Sequence, residues 1–291
     1  MIGRFAPSTT GPAHPGTLLA ALLCWLDARS LGGAVHLRLE DLDPERSRPE
    51  WSSGMKDDLV WLGLDFDQTL VQSARASAHD AALDRLAQDG RLFPCVCTRS
   101  QLRSVAESVP GGSPRYPGTC RGRELPAGGW RASSDPLRVR FDEGGDFGDP
   151  VVRRRDGAVA YHLAAVVDDA DSGVTRIVRG RDLEATTSLQ NALRDLLELP
   201  RPVHHHHLLL LEERGGKLAK LHGAVGTPEL RKHYRPGELC GFLALAAGLI
   251  SEPAVIAPED LLPRFAWEDV GGADRVVRWR SPELLLVESG P

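Results

Sequence analysis

Residues 2–41 read IGRFAPSTTGPAHPGTLLAALLCWLDARSLGGAVHLRLED, and this stretch decides the fold. Ile2–Ala6 reads as a short strand, followed by a loop, Pro7–Pro15, rich in Ser, Thr, Gly and Pro. Gly16 to Leu31 reads as a helix. Leu18, Leu19, Leu22, Leu23 and Leu26 recur at helical spacing and give it an apolar face. Gly32-Gly33 ends it, because glycine tolerates the left-handed conformation just past a helix. Ala34–Leu39 then alternates as a second strand and stops at Glu40-Asp41. Strands alternating with helices imply an α/β fold with a parallel sheet, whose ligands lie beyond the carboxyl ends of the strands. The loop after the first strand and the acids after the second are therefore expected at one crevice.

Outward from this unit, Pro49–Leu62 and Ala74–Gly90 read as helices. From Phe93 to about Pro150 the chain is irregular, with many Gly, Pro and Arg residues, and reads as an insertion. Regular structure is expected again over Ala158–Asp168 and Val174–Arg179, with a helix near Ser188–Leu199. The apolar segment Leu208–Leu211 leads through a glycine turn to Lys217-Leu218-Ala219-Lys220. We expect a catalytic domain over residues 1–226, carrying the insertion, and a small helical tail over 227–291. No internal repeat is present. His204–His207 lie inside the chain, and contiguous histidines in a strand point to opposite faces, which works against a local metal site there.

The composition, 42% hydrophobic and 26% charged, is that of a soluble globular protein. The N-terminus has no apolar core of signal-peptide length. The longest apolar runs, Leu18–Leu26 and Gly241–Ile250, fall short of the roughly 20 residues that span a bilayer. A cytoplasmic, monomeric protein is expected. Its net charge of −5 argues against indiscriminate nucleic-acid binding. Locally, however, Arg115, Arg121, Arg123, Arg131, Arg138 and Arg140 are followed by Arg153, Arg154 and Arg155. They read either as a phosphate-contacting surface or as a solvated face. Cys24 and Cys240 sit alone in apolar stretches as small buried hydrophobes. Cys95, Cys97 and Cys120 cluster, which in a reducing compartment suggests a metal more than a disulfide.

Two segments carry chemistry. His14 stands just before the first helix, where free backbone N–H groups and the positive dipole end favour an anion. Gly11 and Gly16 let the backbone approach a nucleotide. The second segment is Lys217–Lys220, which holds two of only four lysines in a chain with 31 arginines. A lysine ammonium is a compact, mobile point charge for phosphates. His14 and Lys220 together would neutralise charge building on an α-phosphate.

These segments resemble the HIGH and KMSKS signatures of the class I aminoacyl-tRNA synthetases. The flanking words resemble the glutamate branch: RFAPSTTG for RFAPSPTG, RLEDLDPER for RIEDTDxxR, and VVDDADSGVTRIVRGRDL for VVDDxxxGITHVxRGxDL. The resemblance runs from Ile2 to about Gly223. It implies a Rossmann-like catalytic domain, ATP with Mg²⁺, L-glutamate and a tRNA. Position by position, it implies glutamate binding by Arg4, Phe5, Ala6, Pro7, Ser8, Glu40, Tyr161 and Arg179. ATP binding falls to His14, Gly16, Lys217 and Lys220, with His14 and Lys220 catalytic. The chemistry agrees, since a dicarboxylic amino acid needs cations for two carboxylates and an acid for its amine. Arg4 and Arg179 are the expected carboxylate readers and Glu40 the expected ammonium partner.

Cys95-Val-Cys97 with Tyr116-Pro-Gly-Thr-Cys120-Arg121 is similar to the zinc-binding insert of a truncated branch of this family. That branch attaches glutamate to queuosine in the anticodon of tRNA(Asp) instead of to a tRNA 3′ end. Only about seventy residues follow the lysine segment here, too few for the large anticodon-binding region of full-length glutamyl-tRNA synthetases. The resemblance implies one structural Zn²⁺ on Cys95, Cys97, Tyr116 and Cys120. Thr9 replaces a usual proline, Pro15 an apolar residue, and Ala219 the serine of KLSK. Two other functions compete: a short conventional synthetase charging a 3′ end, and a non-catalytic tRNA- or nucleotide-binding paralogue, which Ala219 alone supports.

Overall fold

The structure is a computed structural model that describes residues 1–98, 100–102, 115–142, 147–213 and 225–287. The chain forms two compact units, Met1–Val71 with Val174–Glu184 and Pro202–Pro291, and Gln72–Gly173 with Ala185–Arg201. Among the described residues no helix is long and apolar enough to cross a membrane.

The first unit is built on strands β1 (Ile2–Phe5), β2 (Ala34–Leu39), β3 (Gln68–Val71), β7 (Arg176–Gly180) and β8 (Val203–His207). They form one parallel sheet in the order β3-β2-β1-β7-β8. The βαβ start is thus present as expected, with helix α1 (Pro15–Ser30) crossing from β1 to β2. Sequence reading gave α1 one apolar face, but residues 21–28 are buried without interruption, so it is a central helix enclosed on all sides. It approaches β1 so closely that a Cβ on Gly3 would sit 3.1 Å from the Ala28 methyl.

One carboxylate inside this core fixes the C-terminal segment. Asp27 is 2% exposed and accepts from Arg176 Nε and Nη2 at 2.8 and 2.6 Å. It also accepts from Trp267 Nε1 at 2.7 Å. The His205 ring stacks on Trp267 at 4.6 Å between centroids and 7° between planes.

Beyond residue 226 the expected helices appear as Thr227–His233 and Pro236–Ala247. The chain then adds a hairpin that the sequence reading did not anticipate. Strands β10 (Arg275–Arg280) and β11 (Glu283–Val287) pair with each other, and β10 pairs with the short β9 (Leu210–Leu211). In RVVRWR the apolar and cationic residues do not alternate cleanly, which hid the strand.

The second unit carries the helices Ala76–Gln88, Tyr161–Asp171 and Thr187–Leu196, and an antiparallel sheet of β4 (Leu92–Pro94), β5 (Leu137–Val139) and β6 (Val151–Arg153). Its polar core centres on Asp168, which is fully buried. Gln72 Nε2 donates to it at 2.8 Å and Arg75 Nε at 3.2 Å, and His79 Nε2 lies at 2.9 Å. A buried carboxylate persists only when paired and hydrogen-bonded in this way.

The Arg-rich insertion is held by its own arginines. Arg140 donates to the carbonyls of Gly90, Leu92, Arg121 and Arg123. Arg138 donates to Asp149 O at 2.6 Å, and Arg153 to Ser133 O at 3.0 Å. Arg131 pairs with Asp84, and Arg123 with Asp135. Arg138, Arg140 and Arg153 thus stitch irregular backbone together, a structural role, while Arg123, Arg131 and Arg155 keep about half or more of their side chains exposed.

Candidate functional site

The first motif is pinned to the end of β2. Ser8 bridges Glu40, Glu40 N–H donates to Pro7 O at 3.0 Å, and Thr9 N–H donates to Glu40 O at 3.1 Å. From the far side Thr227 N–H donates to Ala13 O at 2.8 Å. The loop 6–14 therefore leaves β1 in a fixed path and delivers His14 to the N-cap of α1. Pro15, the departure at the first helical position, costs nothing there because no donor is needed. Gly16 and Thr17 supply the first N–H groups that lack intrahelical partners. A Cβ on Gly16 would lie 3.1 and 3.2 Å from His14 Cε1 and Nδ1, so any side chain there would push that ring aside by a few tenths of an ångström.

A cavity of about 560 Å³ opens at this helix start. Its walls come from the first motif (Phe5, Pro7, Ser8, His14, Gly16), from Gly180 at the end of β7 and Asp182 beyond it, and from His207 at the end of β8 and Leu208–Leu210 beyond it. It lies at the carboxyl ends of the strands, where α/β sheets bind ligands. Arg46, Asp182 and His207 line or flank it and were not among the predicted site residues. The signal for two of them was present: Arg46 closes RLEDLDPER and Asp182 lies in RGRDL. His207 had no such mark.

The strand register sorts the glutamate candidates. Gly3 pairs with Arg176, Arg4 with His36, and Arg179 with His206. By alternation Arg4, His36, Arg38, Arg179, His204 and His206 share the face opposite α1. Arg4 and Arg179 are both 5% exposed. Arg38, 1% exposed, donates from Nη2 to Glu40 Oε1 at 3.1 Å. The structure thus brings Arg4, Arg179 and Glu40 to one sheet. Tyr161 belongs to the second unit, where it begins the helix Tyr161–Asp171 and meets the His162 ring edge-on. Lys217, Ala219 and Lys220 lie outside the described residues.

The cysteine cluster is a separate centre in the second unit. The sulfurs of Cys95, Cys97 and Cys120 all lie within 4.8 Å of one another. Cys97 and Cys120 sulfurs are 3.6 Å apart, close to the roughly 3.8 Å edge of a tetrahedron with 2.3 Å Zn–S bonds. Tyr116 Oη is 3.6 Å from Cys95 Sγ and accepts the Cys120 N–H at 2.7 Å. Burial works against a Cys120 thiolate. Hydrogen bonds from Val96 N–H, the Tyr116 hydroxyl and the neighbouring thiols outweigh it and bring the pKa down to about 7. Burial, with Cys95 beside it, pushes the Tyr116 phenol upward. Arg138 lies over the Tyr116 ring, 3.8 Å from its centroid. Three soft donors and a phenol in this geometry fit a tetrahedral metal site.

The sequence profile of the tRNA synthetases class I (E and Q), catalytic domain, matches residues 1–124 and 126–235. The chain belongs to that family. Among relatives of this class I synthetase, a protein named glutamyl-Q tRNA(Asp) synthetase from Nitratidesulfovibrio vulgaris is 41% identical, with 89% of this chain and 90% of the relative aligned. One of the same name from Symbiobacterium thermophilum is 40% identical over 91% and 92% of the two chains. Among solved structures, a glutamate tRNA ligase from Elizabethkingia meningosepticum, crystallised in complex with its amino acid, superposes with a TM-score of 0.75. At 21% identity it shares the fold. It covers 95% of this chain, and this chain spans 66% of it. The protein is accordingly a ligase of the class I synthetase family.

Proposed function

We propose that this synthetase activates L-glutamate with MgATP as glutamyl-adenylate and transfers the glutamyl group to queuosine in the anticodon of tRNA(Asp). The observation that carries the reading is the cavity at the α1 start, with His14 and two helix N–H groups at the sheet edge and the two buried arginines Arg4 and Arg179 on the sheet itself. The printed name of the relatives at about 40% identity supports the acceptor.

In this reading Arg4 and Arg179 bind the two carboxylates of glutamate and Glu40 its ammonium. Arg38 holds one oxygen of Glu40 and so orients the other. Phe5, Ala6, Pro7 and Ser8 shape the pocket floor. An α-carboxylate oxygen attacks the α-phosphorus, and the bond to pyrophosphate breaks. His14, the N–H groups of Gly16 and Thr17, and Lys217 and Lys220 offset the charge that develops on the phosphates. Mg²⁺ enters with ATP, bound mainly by phosphates and water. An acceptor hydroxyl then attacks the mixed anhydride and releases AMP. The cysteine cluster would hold one Zn²⁺ through Cys95, Cys97, Cys120 and Tyr116. When bound it would cross-link the irregular insertion, with every coordination position filled by protein.

Labelled glutamate transferred to tRNA(Asp) locates the acceptor directly. After ribonuclease digestion the label is expected in the anticodon fragment. Label on the 3′-terminal adenosine would make the protein a short conventional synthetase.

A further inference from the structure

The proposed function leaves the run His204–His207 without a purpose, and the sheet register divides it by face. His205 and His207 point to the α1 side, where His205 stacks on Trp267 and His207 lines the cavity. His204 and His206 point to the side of Arg4 and Arg179. His206 is the cross-strand partner of Arg179, and Arg179 Nε lies 3.2 Å from His206 Nε2 with its N–H directed at it. An arginine has no acceptor, so in this contact His206 Nε2 must offer its lone pair and carry no proton. His204 lies nearly parallel to His206, with 6.0 Å between centroids and 13° between planes, and braces the ring.

We propose that His206 is the positioning residue for Arg179, holding its Nε–H so that the Nη1–Nη2 end becomes the edge that reads a glutamate carboxylate. The proposal rests on the reading of Arg179 as a carboxylate ligand. Arginine carries several freely rotating bonds, and a guanidinium held before substrate arrives loses less freedom on binding. The arrangement also selects the binding mode. With Nε committed to His206, the carboxylate is engaged end-on by the two Nη groups, not side-on through Nε and Nη2. Burial, with Arg179 beside it, depresses the His206 pKa, which keeps the lone pair available. The pairing of an acceptor imidazole with a substrate-reading arginine explains why histidine, and not an apolar strand residue, stands at 206.

The test is glutamate-dependent ATP–pyrophosphate exchange, with tRNA present, by the full chain and by H206L, H206Q and R179A. Leucine fills the space without an acceptor, whereas glutamine offers a carbonyl near the position of Nε2. H206L is expected to raise the KM for glutamate at least about fivefold while the KM for ATP changes less than twofold. H206Q is expected to recover most of that loss. A glutamate KM unchanged in H206L but raised in R179A would overturn this inference alone. Equal losses in H206L and H206Q, with both KM values raised together, would also overturn it by making His206 merely structural. No rise in glutamate KM in R179A, or no glutamate-dependent exchange by the unaltered chain, would overturn the underlying reading and this inference with it.

Discussion

A single methyl group at Gly180 probes the wall of the cavity. A Cβ there would lie 2.8 Å from Leu209 Cδ2 and closer still to Asp182 Oδ1. Both obstacles are side-chain ends, which can turn away, so the chain with G180A should fold. Both also line the cavity, and the space they turn into is the space a nucleotide would fill. Binding must then push them back against the methyl. Overpacking of this kind costs about 1–3 kcal/mol, which corresponds to roughly 5- to 150-fold in affinity. The assay is ATP–pyrophosphate exchange with tRNA present, together with thermal unfolding. G180A is expected to raise the KM for ATP at least about fivefold while lowering Tm by less than about 5 °C. An unchanged KM for ATP would refute the placement of the nucleotide against Gly180, Asp182 and Leu209.

Asp27→Ala should leave the Arg176 guanidinium and the Trp267 indole N–H without their acceptor, costing about 2–4 kcal/mol, or roughly 5–10 °C in Tm. Calorimetry checks this, and W267F, which removes one of the three bonds, should cost about 1 kcal/mol. Burial depresses the pKa values of His205, His206 and His207 below that of the unfolded chain. The unfolded state therefore takes up protons that the folded state refuses, and stability is lost as pH falls below about 6.5. Tm should drop between pH 7 and pH 5.5, with a shallower slope in H207L; a flat profile would contradict the burial assignment. Metal analysis of purified protein should find about one zinc per chain, lost in C97S and reduced in Y116F. A metal-free chain of full stability would remove zinc from the account.

The crevice-forming core of this fold was legible because two periodicities coincide in residues 2–41, a helical one in α1 between strands at β1 and β2. The cysteine cluster was legible through its thiol chemistry and the resemblance of Cys95-Val-Cys97 and Tyr116–Cys120 to a zinc-binding insert, although 22 residues separate Cys97 from Cys120. What stayed hidden depended on contacts that sequence spacing does not encode. The insertion arginines bond to backbone carbonyls of Gly90, Leu92 and Asp149, and a carbonyl has no side-chain signature. Strand β3, QTLV, is short, and its exposed edge residues gave no apolar pattern. The β10–β11 hairpin was masked by arginines placed among its core residues. The histidine run could be read only after the register had assigned each ring to a face.

The central claim is the identity of the acceptor. Radiolabelled glutamate and ATP should be offered to tRNA(Asp) with queuosine, to tRNA(Asp) without it, and to tRNA(Glu). The account predicts label on the queuosine-containing tRNA(Asp) alone. Label on tRNA(Glu), or equal label on both forms of tRNA(Asp), would contradict it.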